Sequence, residues 1–205
     1  MAKELSPYGL RPVGLIGGQT YSGATRDFRL TTNNTVGIFT GDVIQLLPGG
    51  IPTAITATPA PGAGGIVGIC MGVRYTTPGM QQPMHAQYLP AGAIAAGYKD
   101  IRIIVVNDPD IQMYIQASAP IGTYPGGIYA AIGKNAAIGN FGGNLITGNS
   151  TVSLTLGANG AGLGTAATLG ARILDIPEES ANDAYPNLIV KFNFGVHSYY
   201  LATGV

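Results

Sequence analysis

Ile101-Arg102-Ile103-Ile104-Val105-Val106-Asn107-Asp108-Pro109-Asp110-Ile111-Gln112-Met113-Tyr114-Ile115 is the stretch whose reading decides the fold. Its first six residues are mostly β-branched, and such side chains fit a pleated, buried surface better than a helix. Asn107-Asp108-Pro109-Asp110 then stops the run with turn chemistry: Asp bonds to nearby backbone, and Pro presets one dihedral angle. Ile111 to Ile115 resumes at once. The stretch reads as two strands joined by a short loop.

The same reading extends in both directions. Thr151-Val152-Ser153-Leu154-Thr155-Leu156 alternates strictly, with Val152, Leu154 and Leu156 on one face. Alternation returns from Val190 to Phe194, Gly195 breaks it, and residues 196–201 suit a returning strand. Weaker strands are expected at 21–30, 43–47, 66–73 and 171–176, where internal glycines point to bulges or close backbone approach. Helical signals are confined to single turns near residues 91–97, Tyr129-Ala130-Ala131 and Pro177-Glu178-Glu179-Ser180. Helix is therefore expected in less than about 15% of residues. The fold class is all-β, a sandwich or barrel of many short strands.

Two segments read as long Gly/Pro-rich loops. Residues 48–65 (PGGIPTAITATPAPGAGG) form an excursion with a short strand at 53–56, and residues 157–170 (GANGAGLGTAATLG) form a flexible loop. At the other end, Pro7, Gly9 and Pro12 interrupt the first dozen residues. Residues 1–15 are accordingly read as an extended N-terminal arm, and residues 16–205 as a single β-rich domain.

Composition narrows the function. Glycine (32) and proline (14) make up over a fifth of the 205 residues, yet the hydrophobic fraction of 46% is enough for a sizeable core. Charged residues are only 10%, against about 25% in ordinary soluble domains. Ten cations balance ten acids. Binding to nucleic acid or to an anionic membrane surface relies on a basic excess, so neither is expected. Weak charge also gives little protection against self-association, which suits a protein whose working state is an assembly. The start, MAKELSPYGLRPV, lacks an apolar secretory segment, and no run approaches a membrane span of about 18 apolar residues. Synthesis and assembly in a cytoplasm are expected.

Catalytic patterns are weak. Cys70 is the single cysteine, lies between Ile69 and Met71, and reads as a buried small hydrophobe. His85 and His197 have no acidic residue at metal-ligand spacing. Ser150 is not in a Gly-x-Ser-x-Gly elbow. Glu178-Glu179 reads as a solvated turn, and Asp108 and Asp110 as turn formers. Gly133-Lys134 is followed by Asn135 rather than Ser or Thr, and Gly162-Leu163-Gly164-Thr165-Ala166-Ala167 has no helix behind it. No enzyme activity, cofactor or metal is expected. Tyrosine supplies 11 of the 16 aromatics. Tyr8, Tyr21, Tyr75, Tyr88, Tyr185, Tyr199 and Tyr200 sit near turns or strand ends, where they either serve interfaces or cap the core.

Ser6-Pro7-Tyr8-Gly9-Leu10-Arg11-Pro12-Val13, followed by Gly17-Gly18-Gln19-Thr20-Tyr21, resembles the opening of a group of tailed-bacteriophage virion proteins. The resemblance continues at Ile38-Phe39-Thr40-Gly41-Asp42-Val43, Val106-Asn107-Asp108-Pro109-Asp110, Thr147-Gly148-Asn149-Ser150, Leu188-Ile189-Val190-Lys191-Phe192-Asn193 and the closing Ala202-Thr203-Gly204-Val205. It runs in order along most of the chain and leaves out 48–65 and 157–170. It implies a head decoration, or cement, protein that sits on the outer capsid and reinforces contacts between capsomers. The implied partners are the major capsid protein and copies of the chain itself, most simply as a homotrimer at threefold gaps. The implied location is the outer surface of the virion, after assembly in the host bacterial cytoplasm. On this reading the arm makes the contact: Tyr8 and Leu10 as apolar anchors, Arg11 as the cation for an acidic patch, and Pro12 beside them. The alternatives are a tail or head–tail component, and a host- or carbohydrate-binding β module, although the lack of Trp disfavours a sugar platform.

Overall fold

The computed structural model describes residues 4–57, 65–122, 124–193 and 196–200. The chain is all-β, and its only helical segments among these residues are three 3-10 turns, Ile128–Ala131, Ala158–Gly160 and Ser198–Tyr200. The strands are β1 (Arg11–Leu15), β2 (Arg26–Arg29), β3 (Ile38–Phe39), β4 (Val43–Leu47), β5 (Ile51–Ala54), β6 (Ile66–Thr76) and β7 (Met84–Ala86). They continue as β8 (Tyr88–Leu89), β9 (Lys99–Val106), β10 (Ile111–Gln116), β11 (Asn135–Gly139), β12 (Ser153–Thr155), β13 (Ala171–Asp175) and β14 (Asn187–Phe192).

Two antiparallel sheets face each other. The first runs β1-β10-β14-β13-β11-β12, and the second β2-β9-β6-β4-β5 with β7 against β6. Between them lies the larger core. Ile111, Met113, Ile115, Leu188, Val190 and Phe192 come from the first sheet and Val43, Ile66, Ile69 and Val106 from the second. The outer face of the second sheet is buried as well. Val67, Cys70, Val73, Ile103 and Val105 pack there beneath Ile38, Leu89 and Ala93. That cover is the two-stranded β3-β8 ribbon and the turns beside it. Buried Asn34 pins it, donating to the carbonyls of Val36 and Pro90 at 2.8 Å each and accepting from Ala93 N–H at 3.1 Å. With apolar cover on both faces, β6 reads as an almost continuous apolar run instead of an alternating one.

The turn after β9 joins the two sheets. β9 pairs with β2 and β6, whereas β10 pairs with β1 and β14. The two strands are therefore consecutive without being partners. Asp108 Oδ1 accepts Asp110 N–H at 2.8 Å and fixes the corner.

The N-terminal arm expectation is corrected by this topology. Arg11–Leu15 is an edge strand of the first sheet, with Arg11 opposite Tyr114 and Leu15 opposite Ile111. Leu10 is buried in the main core at 1% exposure. Pro12 misled the composition argument: it breaks helices, but an edge strand tolerates a residue without a donor. Gly9 lets the chain in. Its φ is 76°, and a Cβ there would lie 2.7 Å from the Gly41 carbonyl oxygen. The two segments cross at that point, where Leu10 N–H donates to the Gly41 carbonyl at 2.9 Å.

Other boundaries also moved. Of 21–30 only Arg26–Arg29 is strand, and the expected returning strand is the 3-10 turn Ser198–Tyr200, Leu201 lying outside the described residues. The 157–170 loop is anchored: Asn135 and Gly164 exchange backbone hydrogen bonds at 2.8 and 3.0 Å, and Asn193 Nδ2 donates to the Leu169 carbonyl at 3.0 Å. In the 48–65 excursion the strand falls at Ile51–Ala54, and 58–64 lie outside the described residues.

Candidate functional site

The N-terminal residues expected to act together do meet. Tyr8 is half-buried and its hydroxyl donates to Asn187 Oδ1 at 3.1 Å. The Arg11 guanidinium lies 4.9 Å from the centre of the Tyr8 ring, in cation–π range. Burial raises the Tyr8 phenol above its ordinary pKa, with Arg11 opposing, so Tyr8 is a neutral donor. A cleft lies on each side of this pair. One of ≈ 540 Å³ is lined by Pro12, Tyr21, Thr40, Met71 and Gln87, and one of ≈ 560 Å³ by Ser6, Tyr114, Glu179 and Asn187. Leu10 borders the first cleft, but its side chain belongs to the core. It therefore cannot serve as the exposed anchor assigned to it.

Sequence reasoning missed the most exposed apolar feature. The turn after β11 presents Leu145 at 66% and Ile146 at 96% exposure. This turn is braced. Asn144 Oδ1 accepts the N–H groups of Ile146 (2.8 Å) and Thr147 (3.2 Å), and Gly148 N–H donates to the Asn144 carbonyl at 2.8 Å. Thr40 N–H donates to the Gly148 carbonyl at 3.1 Å, tying the turn to the β3 end. The signal was Asn144-x-x-Thr147-Gly148, an Asx turn carrying two aliphatic side chains.

The tyrosines are mostly internal ties. Tyr75 packs edge-on against Tyr98 at 5.1 Å, and Tyr88 stacks on Phe39 at 5.6 Å. Near the C-terminus, the Tyr199 hydroxyl accepts from Asn107 Nδ2 at 2.9 Å, and the Tyr200 hydroxyl donates to Asp110 Oδ1 at 2.9 Å. Lys191 reaches the same Asp110 oxygen at 3.1 Å.

The buried titratable groups Asp42, His197 and Cys70 do not line either cleft. Asp42 is 3% exposed, and desolvation pushes its carboxyl up to about 6, opposed by hydrogen bonds from Ser150 and from Phe39 N–H (2.8 Å). His197 is fully buried beside Phe192, Tyr199 and Tyr200, and desolvation pushes it down to about 4. Cys70 is buried as expected, and desolvation pushes its thiol up to about 12, so it holds no thiolate at neutral pH. His85 stands exposed on β7. Among the described residues no three His, Cys, Asp or Glu side chains converge as metal ligands.

Comparison with protein-family models, with curated proteins and with solved structures gives no match to this chain.

Proposed function

We propose that the chain is a structural protein of a tailed-phage virion, a decoration protein that binds the outer head surface and other copies of itself, as a trimer. The observation that carries this reading is the braced Leu145-Ile146 turn. A soluble monomer gains nothing by holding two large aliphatic side chains rigidly in water, whereas an interface does: the turn is ordered in advance, so docking loses little conformational entropy. The sparse, balanced charge and the sequence resemblance support the same class. Several such contacts per particle, repeated by symmetry, add through avidity.

The test is occupancy on heads. The double variant Leu145→Ser/Ile146→Ser is expected to keep the wild-type melting temperature and to lose at least about tenfold in affinity for undecorated heads, since central apolar anchors carry about 2 kcal/mol or more. Titration of heads with labelled protein, counted per particle, reads it. Unchanged affinity rejects the turn as the contact. Few copies per particle points instead to a tail or head–tail part.

The cleft between Tyr8 and Tyr114, with Arg11, Glu179 and Asn187 around it, favours a second reading as a sugar-binding module. Glycan-array binding that is lost in Tyr114→Ala selects that reading.

A further inference from the structure

Four strands of the second sheet carry a basic residue at the same level. Arg29 on β2 lies opposite Arg102 on β9, Arg102 opposite Arg74 on β6, and Arg74 opposite His85 on β7. Directly opposed residues of antiparallel strands share a face, so these side chains stand in one line across the sheet. Successive members are about 4.8 Å apart, the strand spacing. The adjacent residues Val73 and Ile103 are buried in the outer core, which puts the line on the opposite face. On that face Arg29 and His85 are exposed and Arg74 and Arg102 half-buried.

Sheets ordinarily avoid this arrangement, because like charges directly opposed are destabilising. This chain has only ten cations, yet three arginines stand directly opposite one another in one row. Among the described residues none of the three has a carboxylate within ion-pair distance. The acids nearby are Asp27, opposite Ile104 on β2, and Asp100, at the start of β9 with φ 52°. Asp100 joins Arg74, Arg102, Thr76 and Gln81 in lining a cleft of ≈ 340 Å³.

We propose that this row is a docking site for an acidic segment of a protein partner, whose carboxylates lie across the guanidiniums of Arg29, Arg102 and Arg74. Guanidinium forks match carboxylates two bonds at a time, and Thr76 and Gln81 supply neutral donors and acceptors beside them. Charge complementarity selects the partner's sign. The row's shortness, the adjoining acids and the zero net charge select a protein over a nucleic acid, whose affinity grows with the number of phosphates neutralised. The site does not depend on the virion reading; under that reading the partner is an acidic patch of the capsid.

The probe is a fluorescein-labelled dodecapeptide of alternating Glu and Ser, titrated with the full chain by anisotropy. Wild type is expected to bind at low salt and to weaken steeply as salt rises. Arg74→Gln/Arg102→Gln is expected to bind at least tenfold more weakly with an unchanged or raised melting temperature, and the exposed Arg29→Gln alone several-fold more weakly. Lys134→Gln is expected to bind like wild type. Absence of peptide binding by wild type overturns the proposal, as does wild-type affinity in both arginine variants. Tighter binding of a single-stranded DNA dodecamer than of the peptide overturns the assignment to a protein partner. If the double variant is less stable, Arg29→Gln decides: a loss of affinity at wild-type stability supports the site, and no loss rejects it.

Discussion

Leu10→Ala is expected to destabilise the protein by about 3 kcal/mol, within the range for deleting a fully buried leucine, and removal of residues 1–13 is expected to abolish cooperative folding. The reason is position. Leu10 is 1% exposed among residues of both sheets, and the strand that follows it closes the edge of the first sheet against β10. Truncation also leaves the backbone groups on the open side of β10 without the partners they have in Arg11–Leu15. Gly9→Ala follows the same logic, since the added carbon meets Gly41 backbone and Ser150 at 2.7 Å. Urea denaturation followed by far-ultraviolet circular dichroism reads all three. A truncated chain that unfolds with wild-type midpoint and slope would show that the segment is an appendage after all. Tyr8→Ala, by contrast, removes a half-buried ring and is expected to cost less than Leu10→Ala.

The second large effect is a pair of opposed pH dependences. Asp42 has a folded-state pKa of about 6, above its ordinary 3.8, so the folded state holds its proton more tightly. Its contribution is present at low pH and is lost as pH rises from about 4 to about 6. His197 has a folded-state pKa of about 4, below its ordinary 6.5, so the unfolded state takes up that proton first. Its contribution is present above about 6.5 and is lost as pH falls towards 4. A difference of this size between folded and unfolded states corresponds to roughly 3 kcal/mol for each group. Between pH 4 and 6 the two slopes have opposite sign and largely cancel. Wild-type stability is therefore expected to be nearly flat there. Asp42→Asn keeps an oxygen for Phe39 N–H and is expected to expose the histidine limb, with stability falling by about 3 kcal/mol on acidification from pH 6.5 to 4. His197→Phe is expected to show the reverse slope. Urea midpoints at pH 4, 5 and 6.5 read both, and parallel curves for the three proteins would refute the compensation.

Much of the fold was legible because strand formation is largely local. β-branched runs bounded by Asn, Asp, Gly and Pro located β4, β6, β9, β10, β13 and β14 to within a few residues. Of the three short helical segments expected, the one around Tyr129 is a 3-10 turn at Ile128–Ala131, whereas 91–97 and 177–180 are non-helical turns. The burial of Cys70 followed from its apolar neighbours. Of the residues expected to form the contact, Tyr8, Arg11 and Pro12 border one cleft. Leu10 was misread because an aliphatic side chain looks the same in sequence whether it faces a partner or its own core.

What lay beyond the sequence depends on pairing between distant segments. The β-branched run and the turn that ends it show that β9 and β10 are strands, but not that the turn between them passes from one sheet to the other. Arg29, Arg74 and Arg102 are unremarkable singly, and only the β2-β9-β6 register sets them in a row. Nothing in the residues next to Asp42 and His197 marks either as buried, and both are buried because distant strands and loops close over them. Residue type and spacing determined that this chain forms short strands, carries little charge and buries its one cysteine, because those properties follow from side-chain shape and polarity within a few neighbours. Which strands pair, which aliphatic groups remain in water and which charges abut were decided only by the tertiary structure, because register and burial come from contacts between residues far apart in the chain.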